Sequence, residues 1–480
     1  MTAVLGVDLG GSSLRASVVG GDGRFLGTAR VALPQRPGPG GRFEEDPERW
    51  WRALTDALRA LGDALGAVRG IAISGFTRSQ VFVDAAGVPQ RPAILFGDSR
   101  AAALVKAALA QPGIAAHPGA VHLNAFHPLA RLAWLARSEP EAWAATRYVI
   151  EPKDYLAARL TGRIVSDTVS QYWLARSFAA PPGHPPLAHR LGLGPTPCPQ
   201  HLAPGDLIGH ADASAGPLAG LPVFAGAPDS WAGVLGSGGM GVDRAYCISG
   251  TTEVTGLLCP DRADATGLLT LPWGGGLWQI GGPGQNGAAT LDWAGAVLAP
   301  AAREAALARD AAPDAPFFLP FLKGERAPFW DPNLRAAFLG VGAGHGAEDL
   351  LRAAAEGVVF MCRRVLDRAE TAAGARASRL YLSGGGARSR AFAQIRADAL
   401  ARPIVIPTEV ETGVLGSAAL ALAGLGRAAS PADAAATLLG QPSIIVPSAA
   451  GQERAEARFA KFNAYHEALA PLARRFAQEP

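Results

Sequence analysis

The sequence predicts an α/β protein made of two similarly built domains. A chain of 480 residues is longer than one hydrophobic core usually supports, so at least two domains are expected. Near the amino end, two strand-like runs flank the turn Gly10-Gly11-Ser12-Ser13, and a related pattern returns around Gly250-Thr251-Thr252. Two such hairpins about 240 residues apart indicate two halves with the same plan.

The elements of the first half follow from local periodicity. Strands are predicted at 4–9, 14–19, 24–31, 68–74 and 223–226. Apolar residues at helical spacing predict a helix over 47–65, with Asp46 as its N-cap. The stretch 101–163 is mostly helical in pattern, whereas 183–204 is rich in Pro, Gly and His and is predicted to be a loop.

The second half repeats this alternation. Strands are predicted at 244–249, 254–258, 380–383 and 403–406, and helices at 390–400, 413–425 and 453–478. Gly384-Gly385-Gly386 stands between a strand and a helix, where free N–H groups and the helix dipole can face a nucleotide. The alternative is a flexible glycine turn. Because the segment is neither GxxxxGKS nor a full GxGxxG, P-loop and Rossmann sites lose support.

Composition and charge exclude several classes of function. Hydrophobic residues make up 49% of the chain, enough for large cores. The net charge of +3 comes without a basic run, so no nucleic-acid partner is expected. The four cysteines form no CxxC pair, which indicates reduced thiols and a cytoplasmic protein. No signal-peptide pattern or apolar run of roughly 20 residues is present, so no membrane association is expected.

Two turns carry residues suited to phosphate binding. Asp8 lies at the end of the first strand, where a carboxylate can hold Mg²⁺, and Gly10, Ser12 and Ser13 can donate to phosphate oxygens. The alternative is an ordinary glycine hairpin capped by an Asp. The turn Gly250-Thr251-Thr252 is weak evidence alone, but two such hairpins facing each other can hold the β- and γ-phosphates.

Asp229 is the candidate general base. Phosphoryl transfer to an alcohol needs a carboxylate within hydrogen-bond reach of the attacking hydroxyl. An Asp with a pKa near ~3.9 is ionised at neutral pH and can accept that proton. The segment Gly226-Ala227-Pro228-Asp229-Ser230 also fits the alternative, a helix N-cap.

At these segments the chain resembles the FGGY carbohydrate kinases, and above all their xylulokinase branch. Further stretches resemble the same branch: Arg91–Arg100, Pro152–Leu156 with Leu160–Gly162, Phe318–Pro328 with Asp331–Asn333, and Gly384–Ser389. The matches run in the family's order from residue 6 to about residue 465, which makes the resemblance specific.

The resemblance implies two ribonuclease H-like (actin/hexokinase-type) domains around a central cleft. It places a sugar-binding domain at 1–231 and a nucleotide-binding domain at 232–480, with the boundary near Trp231. The implied activity is phosphorylation of a sugar or polyol hydroxyl, with ATP as donor and Mg²⁺ as cofactor. A homodimer is usual among the proteins it resembles, although nothing in the sequence demonstrates one.

The resemblance also assigns roles residue by residue. Asp229 matches the family's general base, and Asp8 its phosphate- and metal-facing carboxylate. The nucleotide side comprises Gly10, Ser12, Ser13, Gly250, Thr251, Thr252, Gly385, Gly386 and Ala387, together with Asp292, which matches a polar residue of some members. The substrate side comprises Thr77, Arg78, Asp98 and Arg100.

Three positions depart from the family pattern. Gly11 stands where most members have Thr, so one hydroxyl donor to phosphate is missing. Phe96 replaces a Trp. Gly75-Phe76-Thr77-Arg78-Ser79 replaces GQMHG in a segment that touches the sugar in the family, so xylulose cannot be assumed to be the substrate.

Arg78 has two interpretations. Its guanidinium can pair with a substrate carboxylate, which would indicate an aldonic acid or similar substrate. Alternatively, it pairs internally with Asp98 or donates to neutral hydroxyls. Other ketoses and polyols also stay open as substrates. A function of another class, a non-catalytic sugar- or nucleotide-binding regulator, would require Asp229 or both phosphate hairpins to be degraded, and they are intact.

Overall fold

The protein is described by a computed structural model for residues 2–299, 302–312, 314–409 and 411–478. It forms two compact units, Met1–Gly236 with Gly413–Leu438, and Ser237–Thr412 with Leu439–Pro480. The first unit is therefore built from two separate stretches of chain. The single boundary near Trp231 stays a prediction about the limits of the family's domains.

Residues 2–236 alternate strands and helices. The strands are β1 Ala3–Leu9, β2 Ser13–Gly20, β3 Phe25–Ala32, β4 Glu44–Glu45, β5 Val68–Gly75, β6 Val81–Val83, β7 Ala93–Ile94, β8 Tyr148–Ile150, β9 Val165–Asp167, β10 Gln200–Leu202, β11 Leu207–His210 and β12 Pro222–Phe224. The helices are α1 Pro47–Leu61, α2 Ala102–Leu109, α3 Pro112–Ala115, α4 Pro128–Ser138, α5 Pro140–Ala145, α6 Pro152–Thr161, α7 Tyr172–Phe178, α8 Leu187–Arg190 and α9 Asp229–Gly236.

Residues 237–478 follow the same alternation. The strands are β13 Arg244–Ser249, β14 Glu253–Cys259, β15 Leu269–Gly274, β16 Leu277–Pro283, β17 Phe317–Leu319, β18 Ala337–Leu339, β19 Arg379–Ser383, β20 Ile404–Ile406 and β21 Ser443–Ile445. The helices are α10 Ala288–Leu298, α11 Arg303–Ala308, α12 Ala347–Ala373, α13 Arg390–Leu400, α14 Thr412–Gly424, α15 Pro431–Leu438 and α16 Ala449–Gln478.

The main sheets of the two units share the order of six strands, and the second sheet has β15 as an additional edge strand. In the first unit the order is β11-β12-β5-β1-β2-β3, with β1, β5 and β12 parallel and the β1–β2–β3 meander antiparallel. In the second unit the order is β15-β16-β14-β13-β19-β20-β21, with β13, β19 and β20 parallel and β13–β14–β16 antiparallel. This match confirms the prediction of an α/β protein with two similarly built halves.

Helices cover the first sheet because their apolar faces need burial. In α1, the side chain of Asp46 accepts a hydrogen bond from the backbone N–H of Glu48 at 3.0 Å, which confirms the predicted N-cap. Trp50 and Leu54 of this helix are fully buried in the core that α1 forms with β2 and β3. The predicted helix ends four residues early, at Leu61, and continues as a 3₁₀ turn, Gly62–Ala67.

The predicted loop over 183–204 is wrong in part. It contains the short helix α8 and the strand β10, which pairs in parallel with β9. That pairing joins residues more than thirty positions apart, for example Gln200 with Val165, so local composition does not reveal it. The four cysteines are free thiols. Within the described ranges, no helix is both long and apolar enough to cross a bilayer.

Candidate active site

The carboxyl ends of three parallel strands of the first unit bring predicted site residues to one sheet edge. Asp8 precedes the end of β1, Thr77 and Arg78 follow β5, and Asp229 follows β12. Backbone hydrogen bonds tie these ends together: Phe76 N–H donates to the Leu9 carbonyl at 2.9 Å, and Gly75 N–H donates to the Ala227 carbonyl at 3.2 Å. Carboxyl ends of parallel strands are where α/β proteins commonly bind ligands.

Asp229 is the first residue of α9 and is half-buried. One of its carboxylate oxygens accepts the backbone N–H of Ser230 at 2.6 Å. Burial raises the pKa of Asp229 above the ordinary value, and the Ser230 hydrogen bond partly offsets that effect. Gly226 permits the close approach of β12 to β5, because a Cβ there would lie 1.8 Å from the Ile73 carbonyl oxygen.

The glycine turn between β1 and β2 is tight. Gly10 N–H donates to the Ser13 carbonyl at 3.0 Å, and the Ser12 carbonyl accepts Leu33 N–H at 2.8 Å. Ser12 is exposed, whereas Ser13 is buried at the start of β2. A Cβ on Gly11 would meet only ordinary contacts at 3.8 Å, so the space around this position does not require a glycine in place of the family's threonine.

Asp8 is nearly buried beside a helix start. Arg15 approaches its carboxylate at 3.7 Å, and a Cβ on Gly413 would lie 2.6 Å from Oδ2 of Asp8. The amino end of α14 therefore lies against this carboxylate. A carboxylate oxygen is a ligand that suits Mg²⁺, so the chemistry of Asp8 fits the predicted metal role.

Arg78 is held in a conformation that a side chain rarely adopts. Its φ is +59°, in the left-handed region, and its side chain is exposed. The fully buried Arg131 of α4 donates to the Arg78 carbonyl at 2.6 Å and to the Phe96 carbonyl at 2.6 Å. Arg131 also donates to the side chain of Gln80 at 3.0 Å, so one guanidinium joins two neighbouring loops.

Asp98 and Arg100 form a buried ion pair with each other. The guanidinium of Arg100 donates to both carboxylate oxygens of Asp98 at 2.6–2.9 Å, and Phe43 N–H donates to Asp98 at 2.6 Å. Arg100 also pairs with Glu44 at 2.8 Å. The internal Arg78–Asp98 pair considered from the sequence is therefore not formed: Asp98 is paired with Arg100.

A cluster of aromatic and imidazole rings near Arg78 was not predicted. Trp173 of α7 makes edge contacts with His122 and His127, at centroid distances of 4.7 and 6.1 Å. Burial, followed by the charge of Arg78, lowers the pKa of His127 to about 3, so this imidazole is neutral at pH 7. Trp173 lies about fifty residues after the two histidines in the sequence, and no local motif indicates that they meet.

In the second unit, the predicted nucleotide segments meet at the β13–β14 turn. Gly250 N–H donates to the Thr252 carbonyl at 2.9 Å, which closes the turn. A Cβ on Gly386 would lie 2.1 Å from Oγ of Ser249, so the loop containing Gly385 and Ala387 packs directly on the end of β13. The amino end of α10 reaches the same turn, since Ala289 N–H donates to the Gly250 carbonyl at 3.4 Å.

Asp292 lies one turn further along α10 and is exposed. It pairs with Arg303 at 2.9 Å. The structure therefore brings Gly250, Thr252 and the Gly385 loop together, while Asp292 faces outward on the adjoining helix.

Behind this turn lies a buried cluster of Cys247, Glu253 and Cys362, whose ligand-type atoms lie within 4.8 Å of one another. Arg396 donates to both oxygens of Glu253, at 3.1 and 2.5 Å. Since that guanidinium already supplies the positive charge, the cluster fits an internal ion pair that supports the hairpin better than a metal site.

Comparison with known proteins gives consistent matches along the chain. Residues 3–171 match the N-terminal domain, and residues 245–425 the C-terminal domain, of the FGGY family of carbohydrate kinases. The xylulose kinase of Escherichia coli (strain K12) is 31% identical over 440 residues, covering 87% of this chain and 89% of that protein. The xylulose kinase of Streptomyces rubiginosus is 33% identical over 445 residues, covering 89% of each chain.

Solved structures show the same architecture. A xylulose kinase from Brucella ovis superposes with a TM-score of 0.86 at 28% identity, covering 98% of this chain and 100% of that one.

Proposed function

Because the chain belongs to the FGGY family of carbohydrate kinases, and phosphorylates a sugar-type hydroxyl with ATP, we propose that Asp229 is the general base of that reaction. The observation that carries this proposal is the shared sheet edge, where Asp229, the Asp8 turn and the Arg78 loop follow three adjacent parallel strands. A carboxylate there can accept the hydroxyl proton as the oxygen–phosphorus bond forms.

The remaining proposed roles divide between the two units. In the first unit we propose that Thr77, Arg78, Asp98 and Arg100 form the substrate side. The ion pair between Asp98 and Arg100 also supports the loop that carries them. Gly10, Ser12 and Ser13 are the proposed phosphate donors of the first hairpin. In the second unit the proposed nucleotide residues are Gly250, Thr251, Thr252, Gly385, Gly386, Ala387 and Asp292.

We also propose that the reaction uses Mg²⁺, with Asp8 as its protein ligand. When bound, the ion would neutralise phosphate charge during transfer. The free thiols support the proposal that the protein works in the reducing cytoplasm. A homodimer stays an expectation from the family, which analytical ultracentrifugation would test.

The relatives named above are xylulose kinases, and a neutral ketopentose is accordingly the first substrate to try. The segment Gly75–Ser79 departs from the GQMHG pattern that the resemblance implies for the sugar side, so the identity of the sugar is a separate question.

The test of the base is Asp229→Asn. We expect sugar-dependent ADP release to fall by roughly 10²–10⁴-fold, the usual contribution of a general base, while calorimetry shows unchanged ATP binding. The matched control is Asp22→Asn, because Asp22 lies in the β2–β3 turn at the opposite edge of the same sheet. Activity of Asp229→Asn close to that of the control would show that another group is the base.

A further inference from the structure

The substrate side of the first unit presents one guanidinium without a protein partner. The Arg78 side chain makes no hydrogen bond or ion pair with any residue in the described part of the chain, and it is exposed. Its backbone is nevertheless held in the left-handed region by the buried Arg131. A strained, braced backbone that presents an unpaired cation is typical of a ligand contact.

The acids around Arg78 are already occupied. Asp98 accepts from Arg100 and Phe43, and Glu44 pairs with Arg91 and Arg100. The carboxyl of Glu151 accepts Ser79 N–H at 3.0 Å and makes no hydrogen bond or ion pair with Arg78.

No described residue therefore accepts a hydrogen bond from the Arg78 side chain. Burial raises the pKa of Glu151 to about 8, which leaves this carboxyl mostly neutral at pH 7. Behind the loop, Arg131 adds a second, fully buried cation that bonds only to carbonyl and amide oxygens. The guanidinium of Arg78 therefore keeps its own donors free for a ligand, and a charge-assisted pair with an anion is stronger than a hydrogen bond to a neutral hydroxyl.

We propose that Arg78 binds a carboxylate of the substrate, so that the enzyme phosphorylates a hydroxyl of an aldonic or related sugar acid. This inference rests on the proposed function, since it names the substrate of the same site. The bond from the γ-phosphorus to the ADP oxygen breaks as the bond to the substrate hydroxyl oxygen forms, and the hydroxyl proton passes to Asp229. The carboxylate is unchanged, and its fork-like pairing with Arg78 orients the carbon chain.

The experiment compares matched acids and neutral compounds. ADP release from Mg·ATP is measured with xylonate against xylitol and xylulose, and with gluconate against sorbitol. We expect kcat/KM to be roughly 10–100-fold higher for an aldonate than for its neutral partner, the effect of one or two charge-assisted hydrogen bonds.

Two substitutions at Arg78 and one distant control sharpen the result. Arg78→Gln should lower kcat/KM for the aldonate by roughly 10–100-fold and change neutral compounds by less than about fivefold, and Arg78→Lys should restore part of the loss. Arg24→Gln is the matched control, because Arg24 is an exposed arginine in the β2–β3 turn at the opposite sheet edge. Calorimetry of the Asp229→Asn variant with gluconate or xylonate tests binding without turnover.

The outcomes separate the two proposals. A preference for xylulose or a polyol, with Arg78→Gln reducing acids and neutral compounds equally, would overturn the carboxylate assignment and leave the kinase intact. Aldonate binding that Arg78→Gln abolishes, but without phosphorylation by the wild type, would overturn the inference that a sugar acid is the substrate and leave the proposed base untouched. Neither binding nor phosphorylation of any compound by the folded, ATP-binding protein would overturn both.

Discussion

Asp229 is held in surroundings that oppose its own charge. The segment after β12 partly buries the carboxylate, and the Ser230 N–H is the one hydrogen bond that the described residues give it. A carboxylate with a raised pKa is a better proton acceptor, because its pKa lies closer to the pH at which the enzyme works. The same surroundings should make the charged Asp229 lower the free energy of unfolding.

The stability of Asp229→Asn tests that statement. The folded-state pKa of Asp229 is raised, so above it the folded protein carries a disfavoured charge that the unfolded chain does not. We expect the variant to be more stable than wild type at pH 7.5 by about 0.5–2 kcal/mol, and the difference to disappear as the pH falls below ~3.9, where both states bind the proton. Urea unfolding across this range measures it.

A wild type more stable than Asp229→Asn at pH 7.5 would contradict this prediction. It would mean that the Ser230 hydrogen bond to the charged carboxylate outweighs its burial. Asp22→Asn serves again as the control, because it removes a carboxylate charge at an exposed turn, where its partner Arg24 is exposed as well.

At the level of single elements, the two hairpins could be predicted from the sequence, but the distant residues that pack against them and against the Arg78 loop could not. The strand–turn–strand pattern predicts the turns at Gly10 and Gly250 because both depend on neighbouring residues. The contact between Gly386 and Ser249, by contrast, joins residues that are far apart in sequence. The bonds from Arg131 to the Arg78 and Phe96 carbonyls are likewise non-local, so an arginine inside a helical pattern gave no sign of them.

Close packing of the nucleotide loop on β13 yields a prediction with an internal control. A methyl group on Gly386 would meet Oγ of Ser249 at 2.1 Å, whereas a Cβ on Gly385 has no atom within 4 Å. Gly386→Ala should therefore lower the free energy of unfolding by about 1–3 kcal/mol, and Gly385→Ala should change it by less than about 0.5 kcal/mol.

Chemical denaturation without nucleotide measures both variants, so that altered ATP contacts do not enter. Equal stability of the two variants would show that the loop moves away from Ser249 at little cost. In that case close packing on Ser249 would not be the reason for a glycine at position 386.

On the scale of the whole molecule, the first unit depends on a segment that the chain supplies late. Ser417 of α14 donates to the Val7 carbonyl of β1 at 2.9 Å, and Gly416 allows α14 to approach α9 so closely that a Cβ there would lie 2.0 Å from the Ala232 carbonyl oxygen. Helix α15 also packs on α9. The sequence predicted a single domain boundary near Trp231, because no local pattern indicates that α14 and α15 belong to the first unit.

Fragments of the chain test this dependence. Residues 2–236 alone should lack cooperative unfolding, because β1 and α9 lose the helix that covers them. Joining residue 236 to residue 413 through about ten Gly and Ser residues, a linker spanning roughly 16–19 Å, and ending at 438 should restore it. Circular dichroism and urea titration compare the two. A cooperative transition in the shorter fragment would contradict the prediction.

The two-part construction of the first unit also bears on synthesis by the ribosome. Its central sheet leaves the exit tunnel complete, yet α14 is translated only after the stretch Ser237–Thr412. At roughly 5–20 residues per second, that interval is on the order of ten to thirty seconds. Throughout it, the apolar surface of the nascent sheet that α14 later covers is available to chaperones.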